Sequence, residues 1–193
     1  MKIFITSFLV LMTLTSMSQN GQNYQFEPSQ THPFGQINPE APEQLKDFSP
    51  MIGECDCTSE RRISQTEWSE PEAVLWRFKY IMNGMGIQDE TLKEDGQHSG
   101  SIRMYNTDSL RWYVHWYSPN PVASSLPTWE GNKKGDDIIL YKNQKSPNGV
   151  DGYYRLTFFN IREEGFDWVG EWVDLQETIA YSTWKISCIK RKK

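Results

Sequence analysis

The sequence predicts an all-β domain, a single antiparallel up-and-down barrel of about ten strands behind a short N-terminal helical turn. Three observations carry that prediction. All eight tryptophans follow residue 50 on segments that alternate apolar and polar residues, most clearly Trp112-Tyr113-Val114-His115-Trp116 and Trp168-Val169-Gly170-Glu171-Trp172. The alternation recurs between residues 51 and 188, broken by short links rich in Gly, Asn, Asp and Pro. None of those links is long enough to hold a crossover helix, which excludes parallel pairing nearly everywhere and favours a sheet closed on itself.

At 193 residues the chain accommodates one well-buried domain with extensions. Residues 1–18 are expected to be a secretory signal peptide: Lys2 gives a positive start, 3–14 an apolar run, and Ser16-Met17-Ser18 a small-x-small cleavage site. The run is shorter than the ~20 residues a spanning helix needs, so no stable membrane insertion is expected. The protein is accordingly expected to be exported, either periplasmic or secreted. Residues 19–41, rich in Gln, Asn, Pro and Gly and without periodicity, read as a flexible leader whose Tyr24, Phe26 and Phe34 can drape over the domain.

The barrel domain is expected over 42–193. It begins with a helical turn over 42–48: Pro42 suits a first helical position, and Leu45 and Phe48 share a face that can cap one barrel end. Strands are then predicted over 53–63, 73–82, 87–92, 101–105, 110–117, 128–131, 137–141, 153–161, 166–173 and 178–189. Asn83-Gly84 signals a two-residue hairpin between the second and third. The irregular stretch 118–127, with three prolines, is placed at the barrel mouth. Because a strand sends successive side chains to opposite faces, Arg77 and Lys79 on the wet face turn Trp76, Phe78 and Tyr80 inward. By the same rule Trp112, Val114 and Trp116 are taken as inward on the fifth strand, and Phe166, Trp168 and Trp172 on the ninth.

A formal charge of −5 makes nucleic acid a poor partner. The basic end Lys190-Arg191-Lys192-Lys193 reads as solvated. Export would place the three cysteines in an oxidising compartment. Since the first and last strands of a closed barrel are neighbours, a disulfide is expected from Cys188 to Cys57 or Cys55. Cys-x-Cys is not the usual zinc spacing, so no metal is expected. No cofactor is expected either; haem would want a histidine on a late strand, and none follows His115.

The stretch Trp76-Arg77-Phe78-Lys79-Tyr80-Ile81-Met82-Asn83-Gly84-Met85-Gly86-Ile87-Gln88-Asp89 resembles a signature of an uncharacterised bacterial domain family of lipocalin-like, or calycin, type. The likeness continues in Arg103-Met104-Tyr105-Asn106, in Trp112-Tyr113-Val114-His115-Trp116 and in Phe166-Asp167-Trp168, covering most of 48–188. Gly53-Glu54-Cys55 is similar to the Gly-x-Trp that opens lipocalin barrels, with Cys55 standing where tryptophan is usual. The resemblance implies a lipocalin-like barrel with a pocket for a small, partly apolar molecule. It supplies no catalytic residues.

The expected ligand-binding set is Trp76, Tyr80, Trp116, Trp168 and Trp172 as aromatic lining, with Gln88, Asp89, Arg103, Tyr105 and Arg155 as polar anchors. The competing reading of the charged members is a salt bridge of Asp89 with Arg103 or Arg155 that only satisfies buried charge. The expected function is binding of a small hydrophobic or amphipathic molecule. One alternative is a barrel hydrolase or isomerase using Asp89, Arg103 and His115. Another is a carbohydrate-binding module that stacks sugars on exposed Trp68 and Trp129. Nucleophile-elbow, phosphate-loop, zinc-protease, dinucleotide and calcium-loop motifs are all missing from the sequence.

Overall fold

The computed structural model describes residues 24–192, and the expected signal peptide lies outside them. The chain forms a closed barrel of ten antiparallel strands: β1 (Gly53–Arg61), β2 (Glu72–Ile81), β3 (Gly86–Lys93), β4 (Ser99–Asn106), β5 (Arg111–Tyr117), β6 (Thr128–Lys134), β7 (Asp137–Asn143), β8 (Gly152–Arg162), β9 (Gly165–Asp174) and β10 (Ala180–Lys190). Each pairs with its sequence neighbours, and β10 returns to β1, so no edge is left to recruit another chain.

The period-two pattern decides which residues fill the barrel. On β2, Val74, Trp76, Phe78 and Tyr80 are buried, while Arg77 faces out and pairs with Glu54 at 2.7 Å. On β5, Trp112 and Val114 are buried. Cys57 lies directly opposite Cys188 across the β1–β10 seam, and the two are joined by a disulfide. Cys55 faces the same way but stands opposite Lys190, and it remains a buried free thiol. Burial pushes that thiol up to about 11.

One end of the barrel is plugged by a 3-10 helix, Glu43–Met51. Three residues per turn stack Leu45, Phe48 and Met51 on one face. All three are fully buried. Phe48 meets Trp112 edge-on at 4.9 Å and Phe158 at 5.7 Å, while the Trp112 indole donates to Asp47 at 3.1 Å. Each fully buried apolar side chain of this size stabilises by about 1.5–3 kcal/mol, which fixes the helix in place.

From Tyr24 onward the leader lies along this end of the barrel. The Tyr80 amide donates to the Phe34 carbonyl at 2.8 Å, and the Phe26 amide to Asn83 Oδ1 at 3.1 Å. The β2–β3 link differs from the expected two-residue turn: it spans residues 82–85, with positive φ at Met82, Asn83 and Gly84. A Cβ on Gly84 would lie 2.4 Å from the Gln36 carbonyl oxygen, so the close approach of the leader and the left-handed backbone both require glycine.

Candidate functional site

Above the plug the barrel is hollow. A cavity of about 360 Å³ opens at the opposite end, where β1, β3, β5, β7 and β9 finish. Trp76, Arg103 and Phe158 line its depth; Arg61, Trp116, Trp129, Lys142, Tyr154 and Trp184 stand nearer the rim. The strand order sets β3–β4 across the lumen from β8–β9. The two walls differ in chemistry. From β3 and β4 come Asp89, Thr91, Ser99 and Ser101; from β8, β9 and β10 come Leu156, Trp168, Trp184 and Ile186.

Three of the indoles are fixed by their own N–H groups. Trp76 donates to Asp89 Oδ1 at 2.8 Å, Trp129 to the Tyr154 carbonyl at 3.1 Å, and Trp184 to Ser59 Oγ at 2.8 Å. Trp168 packs edge-on against Trp184 at 5.0 Å. A lining held this way loses little further freedom when something binds against it.

Asp89 and Arg103 form an ion pair in which each residue is only 2% exposed. The Arg103 guanidinium lies 5.1 Å from the Phe48 and Phe78 rings and 5.6 Å from Phe158, so the plug forms the floor beneath it. Burial pushes Arg103 down to about 9, so at neutral pH it stays charged beside the Asp89 carboxylate. Its Nε–H has no hydrogen-bond partner among the described residues. Nearer the rim, Lys142 Nζ sits 4.5 Å from the Trp129 ring and the Arg61 guanidinium 3.9 Å from the Trp184 ring. Burial lowers the Lys142 ammonium below the ordinary lysine range.

Of the expected set, Trp76, Asp89, Arg103, Trp116 and Trp168 line the cavity. Tyr80 and Tyr105 face inward but belong to the plugged end. Tyr80 is hydrogen-bonded to Ser49 and pushed up to about 12 by burial, and Tyr105 packs edge-on against Trp112 at 5.6 Å. Trp172 lies beyond the cavity at the open end, its ring over Gly152 and its indole donating to the Gln144 carbonyl at 3.0 Å. Gln88 and Arg155 are on the outer face, the first donating to the Tyr117 hydroxyl at 2.6 Å and the second paired with Glu171 at 3.0 Å and with Glu177. Gln88 and Asp89 are adjacent on one strand, so only one of them can enter the lumen.

The constellation of Asp89, Arg103 and His115 is not brought together. His115 alternates with Val114 and Trp116, faces outward, and bonds Thr128 Oγ1 at 2.9 Å. Trp68 and Trp129 share no exposed face either. Arg62 and Lys185 lie 4.4 and 4.7 Å from the Trp68 ring, while Trp129 looks into the cavity.

Sequence reasoning missed Arg61, Lys142, Tyr154 and Trp184 as lining residues. For Lys142 a signal existed. Ile138, Leu140 and Lys142 continue one alternating face of β7, but the predicted strand stopped one residue short of the lysine. Compared with models of known protein families the chain matches none, and it matches no curated protein.

Proposed function

We propose that the protein is an exported binding protein that holds a small hydrophobic or amphipathic molecule inside the barrel. The observation that carries this reading is the hollow upper half of the lumen, walled by fixed indoles and ending on the buried Asp89–Arg103 pair. Its volume falls in the range of small-molecule sites, about 300–1,000 Å³. A mostly apolar lining with a few convergent polar groups is how such sites select and orient a ligand. The Cys57–Cys188 disulfide suits an oxidising compartment and so supports export. Among the described residues no helix is long and apolar enough to cross a membrane. Outward charges such as Glu54, Arg77, Arg155 and Glu171 support a barrel that faces water, unlike the apolar band of a transmembrane barrel. The resemblance to lipocalin-like domains points the same way.

The test is titration with N-phenyl-1-naphthylamine, a neutral aromatic probe that brightens in apolar surroundings. It is joined by mass spectrometry of small molecules that copurify with the full chain. Saturable one-to-one binding is expected, abolished by Ser101→Phe, which fills the lumen from the β4 wall. Failure to bind the probe, or equal binding by a Ser101→Phe protein that keeps its melting temperature, would overturn the reading.

A further inference from the structure

We propose that the molecule held in the cavity is an anion, an apolar body carrying a carboxylate, sulfonate or similar group that is met near the rim by Lys142 and Arg61. The inference rests on the binding reading above and adds the charge and orientation of what is bound.

The argument begins with pairing. Many cations on the outside of the barrel have carboxylates beside them: Arg77 with Glu54, Lys93 with Glu72, Arg155 with Glu171, Lys185 with Glu60 and Arg191 with Asp56. Such pairing comes easily in a chain with 25 acidic and 20 basic side chains. Lys142 and Arg61 depart from it. Neither has an ion-pair partner among the described residues, yet both line the cavity. The only carboxylate in that lining is Asp89, and Arg103 already matches it. The lumen of an acidic protein therefore carries uncompensated positive charge.

Placement is the second part. Lys142 ends an inward row whose earlier members, Ile138 and Leu140, are completely buried. A lysine on that face is partly desolvated, as its lowered proton affinity shows, and this cost is recovered when an anion arrives. Indoles beneath both cations, Trp129 under Lys142 and Trp184 under Arg61, hold them over the opening. Low-dielectric walls around one sign of charge concentrate the field on a ligand of the other sign. With the anion at the rim, the apolar body lies along Trp168 and Leu156.

Two probes with one skeleton test this. 8-Anilinonaphthalene-1-sulfonate is N-phenyl-1-naphthylamine with a sulfonate added, and both report apolar surroundings by fluorescence. The full chain is expected to bind the sulfonate about tenfold more tightly than the neutral probe, the worth of one charge-assisted contact. Each probe should displace the other. Lys142→Met and Arg61→Met should each remove most of that preference and leave the neutral probe within about twofold, whereas Lys142→Arg should keep it. Added salt should weaken the sulfonate alone. Equal affinity for the two probes, or a preference untouched by both Met variants, overturns the anion inference and leaves the binding reading standing. A protein that binds neither probe overturns both.

Discussion

At the plugged end Leu45, Phe48 and Met51 are completely buried, and the rings of Phe48, Trp112 and Phe158 meet edge to face. At the open end Trp116, Trp129 and Trp184 are only partly buried, and Val122, Leu175 and Ile179 in the loops face solvent. Both ends are rich in aromatics, so aromatic content alone does not separate core from cavity. What separates them is how much of each ring is left uncovered. Rings at the plugged end are held by other rings, which close-pack and leave no room. Trp129 and Trp184 at the open end are held by hydrogen bonds to Tyr154 and Ser59 and carry cations, which keeps one side of each available.

The strongest way to test whether the two ends form one folding unit is to open the seam they share. The disulfide closes a sequence separation of 131, and in the chain-entropy model a loop of that length is worth about 4–5 kcal/mol. The double variant Cys57→Ala, Cys188→Ala is expected to lose that much in urea unfolding as a single transition. Two separate transitions would show that the ends fold independently.

Next in size is Phe48→Ala, which removes the ring at the centre of the plug. A fully buried Phe truncated to Ala costs about 3–5 kcal/mol. Because Phe48 lies below the cavity floor, binding of N-phenyl-1-naphthylamine by the protein that stays folded is expected to hold within about threefold, a shift worth under 1 kcal/mol. A larger loss of affinity at unchanged folded fraction would mean that the plug shapes the site as well as supporting it.

This division explains what could be read from the residues alone. Every strand was legible because β-period alternation and turn chemistry are local, and Arg77 and Lys79 announced the inward face of β2. Depth along the barrel axis was not legible. Tyr80 and Tyr105 face inward as their alternation requires, but the plug that takes them comes from the 3-10 helix, far away in sequence. Trp172 missed for the complementary reason, lying past the cavity at the open end. Arg155 was ambiguous because Tyr153-Tyr154-Arg155-Leu156 places an aromatic on both faces, so alternation there cannot say which is wet. The Asp89–Arg103 pair emerged because both residues sit at inward positions on adjacent strands.

A third test uses pH and concerns the plugged end alone. Tyr80 is raised from 10.0 to about 12 and the Cys55 thiol from 9.0 to about 11, both by burial. A raised proton affinity in the folded state adds stability that is complete below the unfolded value and is lost as pH climbs through the folded one. Stability should therefore hold to about pH 9 and fall between there and about pH 12, by about 2–3 kcal/mol for each group. Equilibrium urea unfolding of Tyr80→Phe, Cys55→Ala against the parent measures it. A double variant with the same alkaline slope as the parent would place the titrating groups elsewhere.

The smallest effect is the most discriminating for the open end. Trp129 is tied to the Tyr154 carbonyl at 3.1 Å, and Lys142 lies 4.5 Å from its ring. Trp129→Leu keeps an apolar side chain on the wall while removing both the indole donor and the flat face beneath the ammonium. Since the ring is only partly buried, stability is expected to fall by about 1 kcal/mol or less, well short of the cost at Phe48. N-phenyl-1-naphthylamine should lose an aromatic contact, about 0.5–1.5 kcal/mol and so a few-fold in affinity. The sulfonate probe should lose more, because Lys142 is no longer held over the opening. Fluorescence titration of both probes against this one variant reads the ratio directly. An unchanged ratio would mean that Lys142 is positioned by something other than Trp129, whereas a ratio that falls while stability holds separates an open end built to bind from a plugged end built to fold.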